Sequence, residues 1–412
     1  MGGRVAHGIQ RHRMRTRVVL AAGAMALAAA GCANARDFLD DLFGPGRADA
    51  GSGGEATDAG AQPGTDAGAD AGGTCGPAGG GSCTVPGCAV AGDLPPGFGL
   101  TGVWIGPAGE VWAVGAGGYV GRRAPDTGQW CWCAPQPADL MTGVWGAASD
   151  DVFAVNDAGV VLRFDGARWF SYRPVPTGLN DVHGNGRDNV WVVGRGGWTA
   201  RFDGTAWQSA LIDPRYTLNG VWLDPAGVVR VAGSGTLVPS QPDTDPTSEA
   251  VVLRHDPAAA AGAWTVEASF QQRGVASFDA IAGSSATDIW AVGNNIPDGA
   301  ATSAWGFIAH FDGSAWTPLA PPEDLVLARA YADVAPATPD GGAAWFLNGR
   351  EGVRFDGSTW TANPALENTA AIDARDGVMY AVGQNGLIMR WSAASGWVVD
   401  RAAALPPATP VF

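Results

Sequence analysis

Apolar and polar residues follow a pattern that repeats seven times between residue 100 and about residue 400. Each copy opens with a short apolar run containing a β-branched residue, at Val103, Val144, Val182, Val221, Ile281, Val334 and Ile372. A second run follows that is apolar at consecutive positions, as in Val111-Trp112-Ala113-Val114. Short runs rich in β-branched and aromatic residues, without helical periodicity, predict β-strands.

The third run of the repeat ends in Phe-Asp-Gly, and a tryptophan follows three residues after that glycine. Four copies keep both features, with the glycine and tryptophan at Gly166 and Trp169, Gly204 and Trp207, Gly313 and Trp316, and Gly357 and Trp360. In three less regular copies the tryptophan position is filled by Trp130, Trp264 and Trp397. Asp-Gly between apolar runs predicts a type I′ hairpin, whose two central residues both need positive φ.

Four short strands in roughly 40 residues, repeated seven times, are typical of a blade architecture. The second strand is apolar at every position, which indicates burial on both faces. A radial array of blades provides that environment and leaves only short, protected strand edges. The sequence therefore predicts an all-β fold, a single β-propeller of about seven four-stranded blades over residues 100–412.

The repeat Val-Trp-Ala-Val-Gly followed by Phe-Asp-Gly-x-x-Trp resembles the propeller repeats of bacterial surface lipoproteins and, more distantly, kelch repeats. The doublets Gly117-Gly118 and Gly196-Gly197 are similar to the kelch glycine pair. The Asp-box of sialidases places its Asp and Gly two residues apart, whereas here they are adjacent. The resemblance implies a propeller at the cell surface and carries over neither kelch nor sialidase function.

The N-terminus has the pattern of an export signal over residues 1–31. Five arginines precede an apolar run from Val18 to Ala30, which is too short to span a membrane as a helix. The run ends in Ala29-Ala30-Gly31-Cys32, which resembles the lipobox of bacterial lipoproteins and implies lipidation at Cys32. Ala33, rather than Asp, follows the cysteine, which implies an outer-membrane lipoprotein that faces the periplasm or the cell surface. The alternative is a soluble secreted protein that is cleaved nearby.

Residues 32–82 form the lipidated N-terminus and a low-complexity linker, with Asp-Ala-Gly runs at 58–60, 66–68 and 70–72. Small and acidic residues bury too little apolar surface to offset the entropy of ordering, so we expect a disordered tether. A cysteine-containing segment at 83–99 leads into the propeller. The formal net charge of −15 and the absence of lysine exclude nucleic acid as a partner. We expect a monomer that contacts the membrane only through its lipid.

Besides Cys32, the chain contains five cysteines, at Cys75, Cys83, Cys88, Cys131 and Cys133. Export to an oxidising compartment favours disulfides, and the odd number leaves at least one thiol free or paired externally. We expect bonds from the Cys75–Cys88 segment to Cys131 and Cys133, which would attach the end of the tether to the first blade. The alternative is a zinc site, against which the irregular spacing and the lack of histidines argue.

The sequence predicts no catalytic site and no required cofactor. The three histidines of the propeller, His183, His255 and His310, each replace a residue that recurs at that place in other copies. Asp151 and Asp288, just before second strands, are predicted to be turn residues, as are the Phe-Asp-Gly acids. No nucleophile elbow, phosphate-binding loop or zinc motif is present.

Insertions predict the working surface. From the start of the second strand to the Asp of Phe-Asp-Gly, repeat two needs 13 residues (152 to 165), whereas repeat four needs 28 (228 to 256) and repeat five 23 (289 to 312). These insertions share a face of the ring, where repeat proteins commonly bind partners. We therefore predict a partner site at 234–249, 294–305 and the link 317–330. Its candidate residues are Trp305 as the anchor, Asp243, Asp245, Glu249, Asn294 and Asn295.

The acidic cluster in the first insertion could ligate calcium, although a solvated loop explains it as well. The function that the sequence favours is a surface binding or scaffold module for a protein or glycan. The alternative is a propeller-based lyase or glycosidase with acids at the channel mouth. Fold alone does not decide between these functions, since propellers host both.

Replacement of the lipidation residue tests the export prediction. We expect Cys32→Ser to release the protein from the membrane fraction or to block its processing, because the serine hydroxyl cannot form the thioether to the lipid. Membrane fractionation and mass measurement of the processed chain give the answer. A variant that matures and partitions like the wild type would show that Cys32 carries no lipid.

Overall fold

The computed structural model describes residues 91–92, 94–135, 139–237, 248–258, 263–272, 275–296, 305–322, 325, 330–337 and 342–401. In this part of the chain, 29 strands form seven antiparallel sheets, one for each copy of the repeat. The first strand of each sheet contacts the first strand of the next sheet, and the seventh sheet contacts the first. The fold is therefore the seven-bladed propeller that the repeat predicts.

Each blade runs outward from the ring axis in chain order, so its first strand lines the axis. Blade 1 has a fifth strand, β1, at its outer edge; its strands are β1 (Ala91–Gly92), β2 (Leu100–Ile105), β3 (Val111–Gly115), β4 (Val120–Arg123) and β5 (Trp130–Cys133). Blade 2 contains β6 (Met141–Ala148), β7 (Asp151–Asn156), β8 (Val161–Phe164) and β9 (Trp169–Tyr172). Blade 3 contains β10 (Leu179–Gly186), β11 (Asn189–Gly194), β12 (Trp198–Phe202) and β13 (Trp207–Leu211).

The remaining blades keep the same order, and blades 4 and 5 have the longest strands. Blade 4 contains β14 (Tyr216–Leu223), β15 (Val229–Thr236), β16 (Ser248–His255) and β17 (Trp264–Gln272). Blade 5 contains β18 (Val275–Ser285), β19 (Asp288–Ile296), β20 (Trp305–Phe311) and β21 (Trp316–Leu319). Blade 6 contains β22 (Asp333–Pro336), β23 (Ala344–Leu347), β24 (Gly352–Phe355) and β25 (Trp360–Asn363). Blade 7 contains β26 (Thr369–Arg375), β27 (Val378–Gly383), β28 (Ile388–Ser392) and β29 (Gly396–Arg401).

The second strands are buried along their length, as their unbroken apolar runs predict. Every residue of β3 and of β7 is buried, because neighbouring blades cover both faces of the sheet. Five of these strands contain a glycine at a position that has no space for a side chain, and in three of them it is the last residue: a Cβ on Gly194 would lie 2.2 Å from the carbonyl oxygen of Gly178. The same obstacle, the backbone at the start of the first strand, faces Gly115, Gly233, Gly293 and Gly383.

The first strand has a β-bulge close to this contact with the second-strand glycine. Six first strands carry one extra residue near their start, which is Thr101, Thr142, Asn180, Asn219, Asp279 or Ala370. A bulge leaves its extra residue without a partner in the neighbouring strand and changes the direction in which that side chain points. In this ring the re-aimed side chains of four blades reach the next blade.

Aromatic side chains fill the space between blades, as the recurring tryptophans predict. Trp191 of β11 packs against His255 and Trp264 of blade 4, with ring centroids 5.2 Å and 5.7 Å away. Phe153 of β7 packs in the same way against blade 3, with Phe202 at 5.9 Å and Trp207 at 6.3 Å. The second strand of one blade thus packs on the third and fourth strands of the next.

The Phe-Asp-Gly hairpins form, but the predicted type I′ turn is wrong. Phe164 pairs with Trp169, which leaves a four-residue loop, and Gly166 has a φ of 92°. Among the described residues, the non-glycine residues with positive φ are Asn368, Asp376 and Asn385, so the turn aspartates are not left-handed. Instead, the Asp165 carboxylate accepts hydrogen bonds from the backbone N–H groups of the third and fourth loop residues. This local acceptor role explains why an aspartate recurs there.

Truncation of a tryptophan between blades tests this packing. Trp191 is only 8% exposed, and we expect Trp191→Ala to lower the free energy of unfolding by about 3–5 kcal/mol, since it leaves a cavity between blades 3 and 4. Leu211, which is 47% exposed at the rim, provides the control, and Leu211→Ala should change stability by less than about 0.5 kcal/mol. Denaturant unfolding measures both. Equal midpoints for the two variants would contradict the packing role of Trp191.

Candidate functional site

The predicted partner surface lies on two hairpins that are longer than the others, β15–β16 in blade 4 and β19–β20 in blade 5. Strand pairing continues past the point where second strands end elsewhere, with Gly235 opposite Glu249 and Asn295 opposite Trp305. Much of each insertion therefore extends the sheet. Residues 238–247, with Asp243 and Asp245, and residues 297–304 lie outside the described part of the chain.

Two candidate partner residues are buried within these blades. Glu249 is 5% exposed; its carboxylate accepts a hydrogen bond from the Ser269 hydroxyl and lies 3.7 Å from the Arg215 guanidinium. Asn294 is 2% exposed, and its amide donates to the Asp279 carboxylate at 2.9 Å. Both side chains support the long hairpins from inside. Their contact with a partner stays a prediction, as does that of Asn295 and Trp305.

Three phenylalanines connect blade 4 to blade 5 beside the long hairpins. Phe278 of β18 stacks on Phe307 of β20 with ring centroids 5.1 Å apart. Phe270 of β17 packs edge-on against both rings, at 5.3 Å from Phe307 and 5.8 Å from Phe278. We call the hairpins and this cluster the blade 4–5 ridge. The predicted link at 317–330 begins within β21 and is described only in part.

A cavity of about 630 Å³ lies on the ring axis, at the end where first and second strands are joined. The opposite end of the axis has a narrower pocket of about 120 Å³. Successive turns in a blade alternate between the two faces. The wide mouth is therefore on the face opposite the blade 4–5 ridge. Its volume is in the range of small-molecule sites.

The walls of this cavity are unequal. At one equivalent position of the first strand, blades 1 to 4 carry large rings and blades 5 to 7 carry small or acidic residues: Trp104, Trp145, His183, Trp222, Ala282, Ala335 and Asp373. Glycines of the next blade accommodate three of the rings; a Cβ on Gly146 would lie 2.6 Å from the Trp104 ring. Residues of all seven blades line the cavity.

Side chains from the bulges cross between the first strands of adjacent blades. The Thr142 hydroxyl of blade 2 donates to the carbonyl oxygen of Leu179 in blade 3 at 3.0 Å. The Asn180 amide then donates to Leu218 of blade 4 at 2.8 Å. Thr101 and Asn219 make equivalent bonds from blade 1 to Met141 and from blade 4 to Phe278. Each of these carbonyl groups is satisfied by the preceding blade.

Further along the first strands of blades 3, 6 and 7, side chains accept hydrogen bonds from backbone N–H groups of the next blade. The pairs, acceptor first, are Asp181 with Val221 at 2.9 Å, His183 with Leu223 at 3.1 Å, Asp333 with Ile372 at 2.8 Å and Asp373 with Ile105 at 2.7 Å. The last pair connects blade 7 to blade 1. These acids therefore join blades, a role that the sequence did not predict.

Burial shifts the pKa values of three of these groups. It lowers the pKa of His183 to about 4, so the ring is neutral and its Nδ1 can accept the Leu223 bond. Burial, reinforced by the Asp181 and Asp373 charges, raises the pKa of Asp333 to about 7. Burial also raises the pKa of Asp373 to about 6. Both residues line the wide axial cavity.

The other two histidines occupy structural positions. His255 lies 5.2 Å from both Trp191 and Trp264, in the place that phenylalanine has elsewhere. The His310 Nε2 lies 2.7 Å from the Asp288 carboxylate. In blade 2 an arginine, Arg163, makes the equivalent bond to Asp151, also at 2.7 Å. The two acids begin buried strands and pair with third-strand side chains, so the prediction that they are turn residues is wrong.

The exposed acids of the Phe-Asp-Gly loops are occupied by local hydrogen bonds. The Ala206 and Thr205 backbone N–H groups, with the Thr205 hydroxyl, lower the pKa of Asp203 to about 2. The Ser314 hydroxyl, with two backbone N–H groups, lowers the pKa of Asp312 to about 2. Carboxyl groups with such a low pKa are poorly suited to exchange protons with a substrate at neutral pH.

Cys131 and Cys133 are buried in β5, the fourth strand of blade 1. The short strand β1 pairs with β5, with Ala91 opposite Cys133 and Gly92 opposite Trp132. The chain just after Cys88 therefore runs along the strand that carries the other two cysteines. Cys75, Cys83 and Cys88 lie outside the described residues, and the disulfide pairing stays a prediction.

No group of three or more histidine, cysteine, aspartate or glutamate side chains in the described part of the chain is arranged to hold a metal ion. Two of the three acids in the predicted calcium cluster lie outside that part. Its helices include none that is long and apolar enough to cross a membrane.

No family model and no curated protein matches the chain. Solved propellers do match it, and YCF48 from Cyanidioschyzon merolae gives a TM-score of 0.53 at 16% identity, over 74% of this chain and 98% of that one. YCF48 bound to D1 peptide gives a TM-score of 0.52 at 15% identity, over 75% of this chain and 100% of that one. U3-55K gives a TM-score of 0.51 at 9% identity, over 73% of this chain and 93% of that one. At these identities the likeness is one of fold: the chain shares the β-propeller architecture of these proteins.

Proposed function

We propose that this propeller is a non-catalytic binding module that recognises a protein partner through the blade 4–5 ridge. The observation that carries the proposal is the extension of β15–β16 and β19–β20 beyond the ring. A short turn is enough to reverse the chain between second and third strands, as between β3 and β4. Ordering the additional residues costs conformational entropy. The additional strand length is therefore best explained by a role outside ring assembly.

The acids on the axis favour this function over catalysis. Asp181, Asp333 and Asp373 each accept two backbone N–H groups, one from their own strand and one from the next blade. A general acid or base must instead reach the proton of a substrate. The rival function, a lyase or glycosidase, draws support from the pKa of Asp333 of about 7 beside a wide cavity. It would require turnover that Asp333→Asn abolishes.

A protein is the partner class that we favour over a glycan. YCF48, one of the propellers of similar fold, has been solved bound to D1 peptide, so this architecture can present a surface to a polypeptide. The paired strands of the ridge offer a firm base for protruding loops. Binding sites commonly sit on loops that a rigid scaffold positions.

We further propose that the module is an exported monomer, anchored to the outer membrane through lipid on Cys32. The pairing of β1 with β5 supports disulfides from the Cys75–Cys88 segment to Cys131 and Cys133. Such bonds would fix the end of the tether at the outer edge of blade 1.

Shortening the blade 4 hairpin tests the proposed surface. Replacing residues 238–247 with a short Gly-Ser link leaves the Thr236–Ser248 pair in place, so the thermal midpoint should stay nearly unchanged. We expect capture of partner proteins from surface extracts to be lost. Mass spectrometry of the captured proteins, compared with wild type, measures the effect, and Trp305→Ala should weaken the same capture.

The matched control is Asp126→Ser, in an exposed turn between third and fourth strands on the opposite face. It should capture the same proteins as the wild type. If the shortened hairpin also retains them, the binding surface lies elsewhere. Retention of a glycan, tested on an array, would replace the protein by a carbohydrate as the partner.

A further inference from the structure

The wide axial cavity has a row of hydrogen-bond donors that the ring itself does not use. Trp104, Trp145 and Trp222 line the cavity at equivalent positions of their first strands and are between 5% and 8% exposed. Their indole N–H groups make no hydrogen bond within the described residues, and the indole nitrogens are accessible to solvent. His183 has the same position in blade 3, and its Nδ1 accepts the Leu223 N–H at 3.1 Å, so the neutral ring carries its proton on Nε2, which has no partner in this part of the chain. We call these four N–H groups the donor row.

The rings of the donor row are fixed by the packing of the first strands. A Cβ on Gly184 would lie 2.7 Å from the Trp145 ring, and a Cβ on Gly283 would lie 2.7 Å from the Trp222 ring, so each indole fills the space that a glycine of a neighbouring blade leaves. The His183 ring lies between these two indoles, with centroids 5.7 Å from Trp145 and 6.5 Å from Trp222. Donors held in this way lose little conformational entropy when a ligand binds.

Carboxyl groups provide acceptors in the same cavity. Asp181 and Asp333 line both the wide cavity and the narrower pocket at the other end of the axis, so they form its floor. Asp373 lies on the wall of blade 7, and Asp376, with a side chain that is 90% exposed, lies at the mouth. Among the described residues that line the cavity, Arg375 is the one cationic side chain. A carboxyl oxygen that accepts one N–H can accept a second hydrogen bond from a ligand.

These two sets of groups select the charge of a ligand. The donor row presents the positive ends of four N–H dipoles and disfavours a cation, whereas the excess of aspartates disfavours an anion. A hydroxyl group fits both sets, because it accepts a hydrogen bond from an N–H and donates one to a carboxyl oxygen. We propose that the axial cavity, with its volume of about 630 Å³, binds a neutral hexose unit whose hydroxyl groups accept from the donor row and donate to the axial aspartates. The site lies on the face opposite the blade 4–5 ridge and is independent of the partner that the ridge binds.

Titration of the full chain with D-glucose, D-galactose and D-mannose tests the chemistry of the site. We expect at least one of these hexoses to shift the indole ¹H–¹⁵N resonances of the donor row, and the matching amino sugar and uronic acid to bind at least about threefold more weakly. The methyl glycoside of that hexose separates two sources of the ligand, because a unit of a glycan chain is linked through its anomeric oxygen. Equal binding of the glycoside indicates the end of a glycan, and its loss indicates a free sugar. The proposal is wrong if no hexose shifts these resonances or if a charged analogue binds as tightly as the neutral sugar.

Removal of single donors locates the sugar. Trp145→Phe and Trp222→Phe each delete one N–H and keep an aromatic ring in its place, so each should weaken binding about three- to tenfold, the usual effect of losing one hydrogen bond. The control is Trp207→Phe, whose indole N–H is buried without a partner where the ring packs on Phe153, and it should keep the wild-type affinity. Calorimetric titration measures all three, and undiminished affinity in both cavity variants overturns the proposal.

The ridge and the cavity can be tested separately. The chain with the shortened blade 4 hairpin should bind the hexose with wild-type affinity, and Trp145→Phe should capture the same proteins as the wild type. Failure of the proposed protein partner therefore leaves the sugar site intact, and the reverse holds as well. If the cavity variants do not fold, the titration of the wild-type chain still decides whether a neutral hexose binds.

Discussion

The first strand of every blade has one hydrogen-bonded neighbour in its own sheet, and its other edge faces the ring axis. Unpaired backbone groups on a buried edge are costly, so each needs a partner. The bulge near the start of the strand supplies one, because it frees Thr142 or Asn180 from the ladder and turns it to the next blade. The acids and His183 supply acceptors further along. Closure of the ring thus depends on side chains that substitute for a missing strand.

The rest of the core is arranged around that requirement. The bulge brings the backbone of the first strand against the end of the second, where only glycine fits, as at Gly194. Farther from the ring axis, aromatic side chains fill the space between adjacent blades. At the contact between blades 4 and 5, the second strand of blade 4 carries Arg230 in place of an aromatic residue. Arg230 binds Glu267 of the same blade at 2.8 Å and lies over the Phe311 ring of blade 5. A buried pair of this kind is tolerated because the indole N–H of Trp316 also bonds Glu267.

The sequence predicts the blades well because the information is local. Periodic apolar runs and the tryptophan after Phe-Asp-Gly identify the strands and their number. The bridging side chains were missed, although a signal exists: a Thr or Asn recurs inside apolar first strands, as in Leu100-Thr101-Gly102-Val103. The role of Asp373 could not be predicted, since its bond joins residues 268 apart in the chain. For the candidate partner site, the sequence shows the insertions, whereas pairing such as Thr236 with Ser248 requires the structure.

Native-state hydrogen exchange tests most directly whether side chains close the ring. Val221, Leu223, Ile372 and Ile105 donate their N–H groups to side chains of the preceding blade. If those bonds hold the ring, the four amides should exchange as slowly as Val192 of a buried second strand, through global unfolding. Exchange as fast as that of Gln208, on an exposed rim strand, would contradict the account.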